Sequence, residues 1–106
     1  MSSLTPDERA VLDALDGRRL PITQADLAYG LGLRVRNVQE AILGLRLAGH
    51  PIVADGEGMR LTTDPDEVAA CALALRKRAL TQLWTARAMR RVARTLRADP
   101  TLWGAS

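Results

Sequence analysis

The sequence predicts a mainly α-helical fold with three short helices, a β-hairpin and a long C-terminal helix. Three observations support this prediction. Apolar residues recur with helical spacing through the first 49 residues. Two short strand-like runs then flank a glycine-rich turn between residues 50 and 62. From Asp64 a second helical pattern continues to about Ala98, where Asp99-Pro100 ends it.

The first helix is predicted from its start signals. Thr5 can accept a hydrogen bond as the N-cap, Pro6 suits the first helical position, and Glu8 completes a capping box. We expect the helix to end near Asp16-Gly17, since glycine favours the left-handed conformation found after helix C-termini. The expected buried face comprises Val11, Leu12 and Leu15.

The stretch from residue 24 to residue 49 predicts two helices joined by a tight turn over residues 30–33. Thr23 is the expected cap of the first of them. Ala28 is small where two helices must cross, and Gly32 suits a turn with positive φ. A β-branched residue follows six positions later at Val38, which completes the spacing of a helix-turn-helix. The second helix begins near Arg34, and Val38, Ile42 and Leu45 form its buried face.

The hairpin is predicted from two apolar runs, 50–54 and 59–62, around the turn 55–58. A hairpin directly after the second helix of a helix-turn-helix is a wing. Ile22, in the link between the first two helices, is expected to pair briefly with this hairpin.

The long helix carries an apolar stripe spaced by three and four residues. At 1.5 Å per residue it would be about 50 Å long. A single rod cannot bury its own stripe, so we predict that it mediates homodimerisation. The predicted dimerisation residues are Val68, Ala72, Leu75, Ala79, Leu83 and Ala86.

Charge is distributed unevenly along the 106 residues. Residues 1–63 carry seven basic and eight acidic groups, whereas residues 76–97 carry eight basic groups and no acid. The basic segment therefore predicts either phosphate contacts, an acidic protein partner or a solvated face of a dimerisation helix. The single cysteine, Cys71, excludes an internal disulfide and is typical of a reducing, cytoplasmic compartment.

No enzymatic or metal site is predicted. His50 and Cys71 are the only histidine and cysteine, too few for a zinc site. The glycines at 56 and 58 are not followed by the Gly-Lys-Ser/Thr sequence of a phosphate loop. We found no nucleophile–base pair in sequence motifs. The sequence therefore predicts neither an enzyme nor a cofactor, and no small-molecule effector.

With these elements in order, residues 5–63 resemble the winged helix-turn-helix family, in the variety found at the N-terminus of biotin-operon repressors. Small phage-encoded regulators are built similarly. Three departures are Arg34, where the family usually has a capping Ser or Thr, Met59 in place of the wing aromatic, and apolar Leu43 and Leu47 at usually polar positions. The matching residues are Leu27, Ala28, Leu31, Gly32, Leu33, Val38, Ile42, Leu45, Arg46, Gly49, Ile52, Gly58, Met59, Arg60 and Leu61.

The resemblance implies binding of double-stranded DNA by insertion of the second helix of the motif into the major groove. Base readout is expected from polar side chains at the start of this helix, and phosphate contacts from two arginines beyond them. Asp55 and Glu57 at the wing tip would disfavour a wing lying along phosphates. The predicted DNA-binding residues are Arg34, Arg36, Asn37, Gln39, Glu40, Arg46 and Arg60.

The leading prediction is therefore a small homodimeric transcriptional regulator that recognises a specific DNA sequence. The resemblance to small phage-encoded regulators suggests a phage or mobile-element origin. Two alternatives remain at this stage. One is a protein-binding module that uses Leu43, Leu47 and the basic helix to bind transcription or replication machinery. The other is an architectural factor in recombination or packaging. The predicted divisions are a winged domain over 1–63, a basic helix over 64–98 and a tail over 99–106.

Overall fold

The computed structural model describes residues 3–99 and confirms the predicted fold class. Three helices are followed by a two-stranded antiparallel hairpin and a long helix. The predicted tail, apart from Asp99, lies outside the described residues. The elements are α1 (Pro6–Leu15), α2 (Gln24–Leu31), α3 (Val35–Leu47), β1 (Ile52–Asp55), β2 (Gly58–Leu61) and α4 (Pro65–Ala98).

The caps of α1 and α2 form as their sequences predict. In α1 the Glu8 amide donates to Thr5 Oγ1 at 3.1 Å, and Glu8 Oε1 accepts from the Thr5 amide at 2.9 Å. Thr23 Oγ1 accepts from the Asp26 amide at 3.1 Å at the start of α2. These hydrogen bonds satisfy amides that have no partner inside the helix, and thereby fix where each helix begins.

The turn between α2 and α3 is shorter than predicted. Helix α2 continues through Leu31, so the turn consists of Gly32 and its successors rather than starting at residue 30. Gly32 adopts the left-handed conformation, with φ of 68°, and the Leu33 amide donates to the Ala28 carbonyl at 2.9 Å. Arg34 occupies the N-cap of α3 and provides no side-chain cap, as the sequence indicated.

The core lies where α1, α2, α3 and the hairpin meet. The predicted inner face of α3 is confirmed, because Val38, Ile42 and Leu45 are all buried. Met59 of the hairpin is also buried and packs in the same cluster. The buried cluster comprises Val11, Leu15, Leu27, Ala28, Val38, Ala41, Ile42, Leu45, Ile52 and Met59.

The hairpin is extended on one side by the link between α1 and α2. Ile52 pairs with Leu61 and Asp55 with Gly58 in the antiparallel register. Ile22 forms an isolated bridge with Met59, through mutual backbone hydrogen bonds of 3.1 and 2.8 Å. The predicted pairing of Ile22 is thus confirmed, and it ties the link to the wing.

The chain divides into two compact units, Met1–Cys71 and Ala72–Ser106. The division falls inside α4, whereas the sequence division was placed after Thr63. Two contacts join the start of α4 to the rest of the first unit: Arg60 pairs with Glu67, and Arg46 Nη2 donates to Cys71 Sγ at 3.9 Å. No residue of α4 is buried, so its apolar stripe is exposed along the described chain.

Candidate nucleic-acid interface

The outward face of α3 carries most of the predicted base-reading residues. Because Val38, Ile42 and Leu45 face the core, residues about half a turn away face solvent. Arg36, Gln39 and Leu43 follow one another at spacings of four or fewer and form one exposed stripe, with Glu40 beside it. The helix therefore presents a polar start and an apolar middle on the same side.

Arg36 and Glu40 form an ion pair across one turn of α3. Arg36 Nε lies 3.3 Å from Glu40 Oε1, and the two side chains are 85% and 67% exposed. An ion pair so exposed contributes only about 0–1 kcal/mol. Opening it to contact a ligand would cost little, so both side chains can engage a partner.

The side chain of Gln39 is hydrogen-bonded to a residue of the neighbouring helix. Its Nε2 donates to Oε1 of Gln24 at 2.9 Å, across fifteen residues of sequence. Gln24 is the first residue of α2, so this bond links the start of one helix to the exposed face of the other. It orients one end of the Gln39 amide, whose carbonyl oxygen and second N–H have hydrogen-bonding capacity left.

Arg34 and Asn37 lie at the edge of this face. Arg34 is exposed at the N-cap of α3. Asn37 is half-buried and lines a crevice with the first turn of α1 and its N-cap, Thr5. The structure thus places Asn37 beside α1, away from the stripe formed by Arg36, Gln39 and Leu43.

The two predicted phosphate-contacting arginines are engaged inside the first unit. Arg46 Nε donates to the Ile52 carbonyl at 2.9 Å and so joins α3 to β1. Arg60 Nη2 lies 2.6 Å from Glu67 Oε2. That oxygen is buried and makes the contact without hydrogen-bond geometry. Both arginines therefore hold elements of the fold together.

The wing turn is acidic, as the sequence indicated. Asp55 Oδ1 accepts from the Glu57 amide at 2.8 Å, which fixes the carboxylate at the turn, and both residues are exposed. A phosphate close to this turn would meet two negative charges. The geometry therefore favours the α3 face over the wing tip as a surface for a polyanion.

Leu43 and Leu47 are the apolar part of the α3 surface. They are 59% and 80% exposed, so no described residue of the chain provides the apolar cover that their sequence positions suggested. An exposed leucine on a recognition surface can contact a thymine methyl group or a protein side chain.

Sequence reasoning missed two residues that the fold places against predicted DNA-binding side chains. Gln24 supports Gln39, and Glu67 pairs with Arg60. Neither pairing has a local sequence signal, since the partners lie on different elements. Among residues 3–99 there is no group of three side chains suited to a metal ion, and no helix long and apolar enough to cross a membrane.

Comparisons with known proteins add little to this geometry. No protein-family model and no curated protein matches the chain. Among solved structures, it is similar to the crystal structure of transcriptional regulator PA3341, with 22% sequence identity and a TM-score of 0.45. The match covers 90% of this chain and 81% of that one. The proposals below therefore depend on the geometry of this chain alone.

Proposed function

We propose that the protein binds double-stranded DNA in a sequence-specific manner and acts as a small transcriptional regulator. The observation that carries this proposal is the exposed face of α3, with Arg36, Gln39 and Glu40 on an otherwise core-packed helix. An α-helix fits the width of the major groove, where each base pair presents a distinct pattern of donors and acceptors. The turn at Gly32 and the buried inner face fix the position of this helix on the core.

Each exposed side chain suits a recognisable contact. Arg36 can donate two hydrogen bonds to guanine, and Gln39 can pair with adenine through its amide. Glu40 can accept from the amino group of cytosine once its ion pair with Arg36 opens. Arg34, at the helix start, is placed to contact a phosphate. Asn37 enters the interface only at its edge, because it lies beside α1.

Homodimerisation through α4 is part of the proposal. Val68, Leu75 and Leu83 are exposed, and they share one side of the helix with Ala72, Ala79 and Ala86. The alanines alternate with larger residues along this stripe and so permit two helices to approach closely. Burial of the leucines would supply the driving force. Two copies would also read two half-sites, which increases affinity and specificity.

A second function is supported by a separate observation, the exposure of Leu43 and Leu47 on α3. Neighbouring exposed apolar side chains on one helix face are typical of protein-binding surfaces. In this alternative α3 docks on a component of the transcription or replication machinery. The same surface cannot serve both partners at once, so a competition experiment can separate the two functions.

The test is fluorescence-anisotropy binding to a pool of random double-stranded DNA at two salt concentrations, followed by selection and sequencing of the bound fraction. We expect a recovered motif, with half-sites about one helical turn apart if the protein is a dimer. Binding without a motif would favour an architectural role. No binding at low salt would contradict the proposal and favour the protein-binding alternative.

Matched variants make the test specific to α3. Arg36→Ala combined with Gln39→Ala should reduce affinity for the selected motif by at least tenfold, since each good base contact contributes about 1–3 kcal/mol. The control is Arg18→Ala, which removes one positive charge at an exposed position outside the helices. It should leave the preference for the motif intact.

A further inference from the structure

A cluster of arginines surrounds an exposed tryptophan on the second unit. Trp84, Arg87, Arg90, Arg91 and Arg94 line a shallow hollow of about 450 Å³. Arg87 follows Trp84 by three residues, and Arg91 and Arg94 follow Arg87 by four and seven, so these four side chains share one side of α4. Arg90 borders them, three residues from Arg87 and four from Arg94. We name this set the Trp84 cluster. Sequence reasoning counted its charges but did not single out the tryptophan.

The charge of this cluster is not balanced locally. Between residues 68 and 98 the sequence contains no aspartate or glutamate. The ion pairs of Arg36 with Glu40 and of Arg60 with Glu67 both lie within the first unit. Like charges one turn apart destabilise a helix. A bound polyanion would relieve this repulsion, so the cluster is complementary to a ligand with several negative charges.

The tryptophan indicates what else the ligand must offer. The indole is the largest apolar side chain of the cluster, yet Trp84 is 61% exposed. It lies two positions from Ala86, about 160° around the helix from the proposed dimerisation stripe. Dimerisation through that stripe would therefore leave the indole accessible. An exposed aromatic face among arginines suits a planar, anionic ligand.

We propose that the Trp84 cluster is a second nucleic-acid site, which binds single-stranded nucleic acid by stacking an unpaired base on Trp84 and holding the flanking phosphates with Arg87, Arg91 and Arg94. Stacking of bases on aromatic side chains within a basic groove is the general physical basis of single-strand binding. An acidic protein would satisfy the arginines but would leave the indole without a planar partner. Base pairs inside a duplex are stacked on each other and cannot reach the indole face.

This site is independent of the proposed duplex recognition by α3. It lies on the second unit and uses none of the α3 residues. If single-strand binding at the Trp84 cluster were disproved, the α3 proposal would be unchanged. Disproof of duplex binding by α3 would likewise leave the Trp84 cluster proposal unchanged. The consequence for function is that the protein could contact an opened or transcribed strand as well as a duplex operator.

The test uses Trp84 as its own reporter. The chain has two tryptophans, so the full-length Trp103→Phe variant leaves Trp84 as the single indole. Its fluorescence is titrated with a 12-nucleotide oligo-dT, with oligo-U of the same length, with a blunt DNA duplex and with poly-glutamate. We expect saturable quenching by one or both single strands, and the stronger of the two identifies DNA or RNA as the source. Equal quenching by poly-glutamate or by the duplex would overturn the proposal.

Substitutions then separate stacking from charge. Trp84→Leu should weaken oligonucleotide binding, followed by anisotropy, about tenfold, whereas Trp84→Phe should retain most of the affinity. Arg87→Gln with Arg91→Gln should weaken binding and flatten its salt dependence. The matched control, Arg76→Gln with Arg78→Gln, removes two charges elsewhere on α4 and should have the smaller effect.

Two results would contradict the second site. One is unchanged affinity in Trp84→Leu, which would reduce the cluster to a non-specific charged surface. The other is loss of single-strand binding in the Arg36→Ala, Gln39→Ala variant, which would place the binding on α3. Circular dichroism of each variant confirms that α4 remains helical. Trp84→Ala, which has the higher helix propensity and the same expected loss of affinity, serves as the test if Trp84→Leu loses helicity.

Discussion

Gln39 Nε2 donates a hydrogen bond of 2.9 Å to Gln24 Oε1, and this bond joins α3 to the first residue of α2. Gln39 is exposed, Gln24 is half-buried and the bond itself is exposed, so we expect it to contribute little to stability. Its effect is geometric, because it fixes the direction of an amide on the face proposed to read DNA. Gln24 is thus a positioning residue for Gln39.

Substitution of Gln24 tests this relationship. We expect Gln24→Ala to weaken binding to the selected DNA motif by up to about tenfold, since a net hydrogen bond contributes about 0.5–1.5 kcal/mol. The preference for the selected base over other bases at the position opposite Gln39 should decrease as well. The thermal midpoint should stay nearly constant because the bond is exposed. An unchanged base preference of Gln24→Ala in competition assays would show that Gln39 does not depend on Gln24.

The hairpin provides a stability prediction with an internal control. Gly58 has φ of 137°, and a Cβ there would lie 2.6 Å from the Ile22 carbonyl carbon. Gly58→Ala should therefore destabilise the protein by about 1–3 kcal/mol, since the clash is with backbone that pairs with Met59. Gly56, two positions earlier, has open space around it. Gly56→Ala should cause no loss in urea unfolding, and equal effects at both positions would contradict this account.

Gly44 in the middle of α3 lies against the carboxylate of Glu8. Alanine at this position would gain about 1 kcal/mol of helix propensity but would displace the Glu8 side chain from its capping box, at a similar cost. We therefore expect Gly44→Ala to change the unfolding free energy little. In a Glu8→Ala background the same substitution should stabilise by about 1 kcal/mol. A double-mutant cycle in urea measures the difference, and additivity would show that the two residues do not interact.

Substitutions of Arg46 test whether this residue has a structural role or contacts a phosphate. Its Nε donates to the Ile52 carbonyl, a bond that lysine cannot reproduce with the same planar geometry. Arg46→Lys should destabilise the protein by about 1–3 kcal/mol in urea, because a partly buried carbonyl loses its partner. Arg46→Gln removes the charge as well, and it should leave the salt dependence of DNA binding unchanged, because the Arg46 side chain is engaged within the first unit. A flatter salt slope in Arg46→Gln would instead support the phosphate contact that the sequence suggested.

The dimer proposal is tested on two leucines of one helix. Leu75 lies on the stripe with Val68 and Ala79, whereas Leu73 lies about 160° away from it. Leu75→Glu should shift the protein from dimer to monomer in sedimentation velocity, since a charge would have to be buried between the helices. Leu73→Glu adds the same charge on the other side and should remain dimeric. A wild-type mass of one chain would remove the proposed interface.

Local sequence signals determined much of the fold. Thr5, Thr23 and Gly32 set the ends of α1 and α2 through caps and a positive φ, both of which depend on residues close in sequence. The inner face of α3 followed from the spacing of Val38, Ile42 and Leu45. Such features are readable because a helix converts spacing along the chain into a shared face.

The assignment of roles within the candidate surface required the tertiary structure. Arg36, Arg46 and Arg60 are equivalent as sequence letters, but only Arg36 lies on an open face with a partner on its own helix. Arg46 contacts Ile52 and Arg60 contacts Glu67, and both partners belong to elements that come later in the sequence.

The sequence by itself therefore determined which segments are helix, strand and turn, and which apolar residues form the core of the first unit. Only the tertiary structure decided which polar groups are already satisfied by distant partners and which are free to meet a ligand. The physical reason is that caps and periodicity are interactions between near neighbours, whereas the pairs of Gln39 with Gln24 and of Arg60 with Glu67 exist only once separate elements have packed.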